Sequence, residues 1–334
     1  MQKRKIGNTK IEVDVLGVGG APLSGNYAKL GRAAAVGVVE TALAAGISYV
    51  DTAPFYGFGR SERIIGDMVR GKNYVLSTKV GRLLKPGPVA NPMDHGMIDP
   101  LPFTPFYDYS YDGVMRSFED SLQRLGLDRI DILLAHDIGV MQHGEDDNAN
   151  HLADLEGGGY RALDELRSYG DIGAIGLGVN EKEVCLRVME FGQWDAFLLA
   201  GRYTLLEQTP LDDLLPACEK AGTSIITGGP FNSGVLVGRK MWNYDKPPVE
   251  IMKHVRKLKA VCKTHSVEMP AAALQFPLAH PAVACVIPGA RSAKEFKDIL
   301  KWAKAKIPAK FWADLQAKGL LHPDAPLPTE NPFK

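Results

Sequence analysis

Short apolar runs alternate with amphipathic stretches almost from one end of the chain to the other. Eight runs have strand length and a β-branched or aliphatic content: VLGVGG (15–20), ISYVDTA (47–53), YVLSTKV (74–80), RIDILLAHD (129–137), IGAIGLGV (172–179), AFLLAGRY (196–203), SIITGG (224–229) and VACVIPG (283–289). Between them lie helical patterns such as RAAAVGVVETALAAG (32–46), DGVMRSFEDSLQRLG (112–126), YRALDELRSYG (160–170) and EIMKHVRKLKAVCKTH (250–265). Gly46 and Gly126 stand where a left-handed C-cap ends a helix. Strands this continuously apolar are buried on both faces, the pattern of parallel strands joined by helices. No block of different composition suggests a second domain. The pattern therefore predicts one closed (β/α)8 barrel, a TIM barrel spanning residues 1–334, rather than an open doubly wound sheet.

The opening KRKIGNTKIEV (3–13) turns at Gly7-Asn8-Thr9 and reads as a β-hairpin on the barrel floor. Two long segments, 81–111 and 138–159, are rich in Pro, Gly, Asp and His and follow the third and fourth strands. Both are expected to be loops walling the barrel mouth. The tail HPDAPLPTENPFK (322–334) is too proline-rich to continue a helix.

The chain's 334 residues carry 39 lysines plus arginines against 39 acidic residues. That balance argues against nucleic acid or an anionic membrane as the main partner and leaves a small molecule. No run reaches membrane length and no apolar secretory core follows the charged N-terminus, so a cytoplasmic location is the expectation. Cys185, Cys218, Cys262 and Cys285 are far apart and show no ligand spacing, which predicts buried thiols and no metal site.

In a barrel of this type chemistry gathers at the C-terminal mouth. Asp51 closes the second run, and Tyr56 follows it by five residues in VDTAPFYG (50–57). Lys79 closes the third run and His136 the fourth. This set suits proton transfer coupled to hydride transfer. Tyr56 is the acid/base, Lys79 tunes it, Asp51 anchors the lysine, and His136 orients the substrate oxygen. Singly, each residue has another reading. Asp51 suits a helix N-cap, Lys79 the Schiff base of an aldolase, and His136 with Asp137, His143 and His151 a metal cluster. A nucleotide-sensing subunit is a rival of another class, but it has no need of Tyr56. Hydride transfer requires a nicotinamide nucleotide, because these side chains have no such redox chemistry. Neither GVGGAP (17–22) nor GLGVNE (176–181) matches the Rossmann fingerprint.

VDTAPFYGFGRSERIIG (50–66), STKVG (77–81) and RLGLDRIDILLAHD (124–137) together resemble segments of the aldo-keto reductases, and the resemblance covers nearly the whole chain. It implies a (β/α)8 barrel whose catalytic set falls on Asp51, Tyr56, Lys79 and His136. It also implies a nucleotide laid across the mouth. Its contacts would be Asn180, then Phe231, Ser233 and Leu236 in GGPFNSGVL (228–236), and Gly289, Arg291 and Glu295 after the last strand. Departures from the family pattern are Val179 for a serine, Ala200 for a glutamine and Gly228 for the aromatic that stacks on the nicotinamide. The ring is therefore expected to rest on Phe231 or Tyr203. Glu295 stands where NADP-dependent members commonly carry arginine, which favours NAD. Arg291, Lys294 and Lys297 nearby leave NADP open, and Ile299 at the adenine-binding position adds nothing. AGRYTLLEQ (200–208), GGPFNSGVLVG (228–238) and VIPGARS (286–292) resemble the bacterial aldose 1-dehydrogenase branch. That implies oxidation of a cyclic hemiacetal to a lactone, with an aldose as first candidate and pyridoxal as second. NADPH-dependent carbonyl reduction is the further alternative. Phe55, Asp137 and Arg202 are the candidate substrate contacts.

Overall fold

The structure, a computed structural model, describes residues 1–26 and 28–334. A hairpin of β1 (Lys3–Lys5) and β2 (Glu12–Asp14) opens the chain. The barrel strands are β3 (Val18–Gly19), β4 (Tyr49–Asp51), β5 (Val75–Val80), β8 (Ile132–His136), β9 (Ala174–Val179), β10 (Ala196–Ala200), β11 (Ser224–Gly228) and β12 (Val283–Ile287). They form one eight-stranded parallel sheet in chain order. Parallel bridges Leu16–Val286 and Gly19–Gly289 join its two edges. Closure leaves no unpaired edge, so the backbone groups of the fully buried strands are satisfied within the ring.

Around the sheet run α1 (Arg32–Ala44), α2 (Arg60–Val69), α3 (Tyr111–Leu125), α4 (Val140–Asp154), α5 (Tyr160–Tyr169), α6 (Glu183–Val188) and α7 (Leu214–Ala221). The series ends with α8 (Val249–Thr264), α9 (Met269–Gln275), α10 (Ala293–Ala303) and α11 (Ala309–Ala317). Alternate strand residues serve two cores. Tyr49, Ile132, Leu134, Ala196, Leu198 and Ile226 fill the barrel interior together with Ile6 and Val13 of the hairpin region. Val50, Leu133, Ala135, Phe197 and Leu199 face the helices. The hairpin does seal the floor: Arg4 Nη1 donates to Val283 O (2.6 Å) and Gly7 N to Ser224 Oγ (2.8 Å). The four cysteines are buried and unpaired.

Both segments expected to be loops are ordered. Residues 82–107 hold an antiparallel ribbon, β6 (Arg82–Pro86) with β7 (Phe103–Tyr107), and a 3-10 turn over Pro92–His95. Segment 138–159 is largely helix. The α4 helix breaks at Gly144 (φ 73°) and runs through a π-helical turn at Leu155–Gly159 into α5. Asn148 is the one buried residue of α4. A helix exposed on nearly every face carries no apolar period, so its sequence reads as loop.

Candidate active site

Strand alternation aims the rim residues inward. Asp51 shares parity with interior Tyr49, and His136 shares it with interior Ile132 and Leu134. Lys79 is 1 % exposed and lies under the mouth, with Nζ bonded to Asp51 Oδ2 (2.8 Å), Asp51 Oδ1 (2.9 Å) and the Thr52 carbonyl (2.7 Å). Ser77 Oγ also donates to Asp51 Oδ1 (2.7 Å). Such a pair is tolerated in the interior because both charges are partnered and hydrogen-bonded. Burial pushes the Asp51 carboxyl up, against the pull of Lys79. Room for the lysine comes from Gly178 on β9: a Cβ there would stand 2.9 Å from Lys79 Cε.

Tyr56 sits in the turn between β4 and α2, half-buried. Tyr56 N bonds to Ala53 O (3.2 Å) and Ser61 N to Tyr56 O (3.1 Å). Behind the turn, Thr52 Oγ1 donates to Ser61 Oγ and Ser61 Oγ to Gly20 O, both at 2.9 Å. Buried Glu62 takes Thr78 Oγ1 (2.8 Å) and Arg124 Nε (2.5 Å). The Ser-Glu pair of the motif thus pins the tyrosine's loop. Lys79 Nζ lies 4.9 Å from the Tyr56 ring centre, and the His136 ring meets that ring edge-on at 5.7 Å. Burial, then Asp51 and Asp137, hold the phenol well above its ordinary range, with Arg82 opposing them. Burial lowers the His136 imidazole to about 3. That leaves it neutral at physiological pH, able to hydrogen-bond without carrying a charge. Tyr109, of the FYDYSY segment (106–111), donates its hydroxyl to His136 O (2.6 Å).

A cleft of about 370 Å³ opens from Asp51 and Tyr56 across Ala200, Gly228 and Gly229 to Phe231, Ser233, Arg239, Gly289, Arg291, Glu295 and Trp302. It fits a nicotinamide nucleotide in three respects. Small residues leave flat space beside Tyr56. Arg239 and Arg291 supply positive charge. The backbone curls from Phe231 (φ −97°) through left-handed Asn232, Ser233 and Gly234, which sets Ser233 on the cleft wall. Phe231 lines the cleft and packs edge-on against Trp302 at 5.9 Å.

Other expected contacts lie elsewhere. Tyr203 is fully buried between Phe276 and His280, each 5.6 Å away, so it offers no platform for a ring in the cleft. Leu236 is fully buried in the outer core. Asn180, Asp137 and Arg202 line a second, smaller cavity, where Arg202 Nε donates to Asn180 O (2.5 Å). Phe55 is covered by the Arg82 guanidinium, 3.1 Å from its ring centre. The cleft cations and aromatics Arg239 and Trp302 escaped the sequence reading, as did Arg82. No group of three or more metal-ligating side chains occurs among the described residues.

The comparisons with known proteins agree with this architecture. Pyridoxal 4-dehydrogenase of Microbacterium luteolum is 43% identical over 335 residues, covering 96% of this chain and 98% of that protein. D-threo-aldose 1-dehydrogenase of a Pseudomonas species is 34% identical over 324 residues, covering 93% and 95%. In fold, the holo form of an aldo-keto reductase from Bacillus halodurans matches with a TM-score of 0.74 over 100% of both chains, at 23% identity. The profile of the aldo/keto reductase family spans residues 15–319, from the run that opens the barrel to just past α11. With all four rim residues inside that span, the chain belongs to the aldo/keto reductase family.

Proposed function

We propose that the protein oxidises a cyclic hemiacetal to a lactone with NAD as acceptor, the reacting groups being Tyr56, His136 and the Lys79–Asp51 pair. The observation that carries this reading is the similarity along almost the full chain to two dehydrogenases named for pyridoxal and for D-threo-aldoses. Both kinds of molecule close to hemiacetals in which one carbon bears a hydroxyl and a hydrogen. The sequence alone ranks an aldose first, and the higher identity to pyridoxal 4-dehydrogenase favours pyridoxal.

When bound, an oxidised nicotinamide nucleotide supplies the two-electron acceptor and a positive ring charge. Tyr56 takes the proton of the hemiacetal hydroxyl, which becomes the lactone carbonyl oxygen. Neutral His136 holds that oxygen by a hydrogen bond without protonating it. The buried Lys79–Asp51 pair fixes an ammonium beside the phenol ring, while Arg82 is the cation that opposes the upward pull of burial, Asp51 and Asp137 on Tyr56. Phe231 is one aromatic available to a ring in the cleft, whose wall is kept low by Ala200 and Gly228.

NAD is favoured over NADP by the far end of the cleft. Glu295 there accepts both Arg239 Nη2 and Arg291 N at 2.8 Å, and Asp298 pairs with Lys294 at 3.2 Å. A carboxylate standing at that end repels a 2′-phosphate and can accept a hydrogen bond from a free 2′-hydroxyl. In this reading residues 1–334 form one catalytic domain working in the cytoplasm, where an oxidised NAD pool suits the reaction. The test is turnover of pyridoxal and a panel of aldoses with each nucleotide, with the first product identified by mass and by NMR. An open-chain acid formed without lactone, or activity confined to reducing aldehydes with NADPH, sinks the proposal.

A further inference from the structure

Beside the nucleotide cleft lies a polar cavity of about 160 Å³, and Tyr244 lines both. Asp137 stands at the boundary. It directly follows His136, and its Oδ2 is 3.5 Å from His136 Nε2. Its backbone is left-handed (φ 52°), a conformation that a non-glycine residue adopts at some cost, and Asp137 N is tied to Gly178 O at 2.9 Å. The strain places the carboxylate against Arg82, whose Nη1 donates to Oδ2 at 2.5 Å. Arg82 is 6 % exposed and lies over Phe55, the neighbour of Tyr56. One ion pair therefore connects the segment bearing Tyr56 to the segment bearing His136. An arginine and a carboxylate that served each other alone would favour a two-point fork. Here Oδ1 accepts no hydrogen bond from any described residue, and Asp137 lines the cavity.

We propose that Asp137, held by Arg82, is a specificity-determining residue. Its carboxylate accepts a hydrogen bond from a hydroxyl carried close to the reacting carbon, and the polar cavity takes the remaining substituents. This rests on the dehydrogenase reading above and narrows it to hemiacetals bearing such a hydroxyl. His136 Nε2 and Asp137 Oδ2 are 3.5 Å apart, so an oxygen bonded to His136 has the Asp137 carboxylate as its neighbour, the arrangement that two adjacent hydroxyls of one substrate would meet. The 2-hydroxyl of an aldose meets that condition, and so does the phenolic hydroxyl of pyridoxal. A site built to receive such a group discriminates strongly against an analogue lacking it, because its own polar atom is then left unpaired.

The experiment compares kcat/KM for an aldose and its 2-deoxy analogue, and for pyridoxal and its 3-deoxy analogue, in the wild type and in Asp137→Asn. The wild type is expected to prefer one hydroxylated member of these pairs by roughly 10- to 100-fold. The preference should collapse in Asp137→Asn, which keeps an acceptor for Arg82, because kcat/KM falls further for the hydroxylated member than for the deoxy analogue. Indifference of the wild type to the hydroxyl overturns the inference without needing a variant. An equal loss on both members of a pair in Asp137→Asn assigns the residue a structural role and also overturns it. Failure of the wild type to oxidise any of the four overturns the dehydrogenase reading, and this inference with it.

Discussion

Lys79 holds its ammonium 4.9 Å from the centre of the Tyr56 ring and gives none of its hydrogen bonds to the phenol oxygen. All three go to Asp51 and Thr52. The lysine therefore stands beside Tyr56 as a fixed buried charge, and Asp51 sets where that charge stands. Among the described residues nothing bonds the Tyr56 hydroxyl, so the proton-transfer position faces the cleft without a competing partner.

Replacing Tyr56 with Phe removes that hydroxyl and almost none of the cleft wall. The kcat is expected to fall about 10²-fold or more, with nucleotide affinity by fluorescence titration nearly unchanged. A variant that keeps near-normal kcat would falsify the assignment of Tyr56 as acid/base.

Most of this site can be read from the chain because Asp51, Lys79 and His136 each end an apolar run, and strand alternation then decides which way they point. Tyr56 is legible for a different reason: it belongs to a segment whose Ser61 and Glu62 fold its turn. Arg82 is not legible. It follows STKVG directly, but a basic residue opening a polar stretch reads as solvent-facing. It is buried only because Phe55 and Asp137, distant in sequence, close on it. The same limit hides α4, whose nearly uniform exposure erases periodicity, and it misplaces Tyr203, whose place in AGRYTLLEQ (200–208) gave no sign that Phe276 and His280 enclose it.

Gly178→Ala tests the placement of Lys79 without touching any reacting group. The added Cβ, 2.9 Å from Cε, displaces the lysine stem, and small misplacements near a reacting centre have large effects on rate. The expected result is a kcat reduced at least about 10-fold with nucleotide KM little changed. The overpacking should destabilise by about 1–3 kcal/mol. An unaltered kcat would show that the lysine has slack the structure does not suggest.

Glu295→Arg tests the nucleotide preference. It removes the acid that neutralises Arg239, leaving positive charge where a 2′-phosphate would lie. The ratio of kcat/KM for NADP to that for NAD should rise roughly 10- to 100-fold, as one charge-assisted contact allows. Glu295 also accepts Arg291 N, and its own N bonds the capping Ser292 Oγ (3.1 Å), so Glu295→Gln serves as the variant that keeps the helix start. Its ratio should shift in the same direction by less. A wild type that already favours NADP contradicts the reading of Glu295.

Acid stability should carry the signature of His136. Its imidazole titrates at about 3 in the fold against an ordinary 6.5. Burial strips water from the charged form, and Lys79 and Arg82 repel it, against the attraction of Asp137. A depressed folded value means that the unfolded chain binds the extra proton first. The contribution is whole above pH 6.5 and is lost progressively as pH falls towards 3. By linkage the loss approaches about 1.4 kcal/mol per pH unit within that window. His143, lowered to about 4 by burial and by His151, acts in the same direction. Urea midpoints measured from pH 7 down to 4.5 should therefore fall more steeply for the wild type than for His136→Asn, which has no imidazole to protonate. In the folded enzyme the same depression keeps His136 neutral at pH 5 to 6, so His136 should give kcat no acidic limb near 6.5. Equal steepness in the two proteins would place the His136 value close to its ordinary one and remove the argument that it serves as a neutral hydrogen-bonding partner.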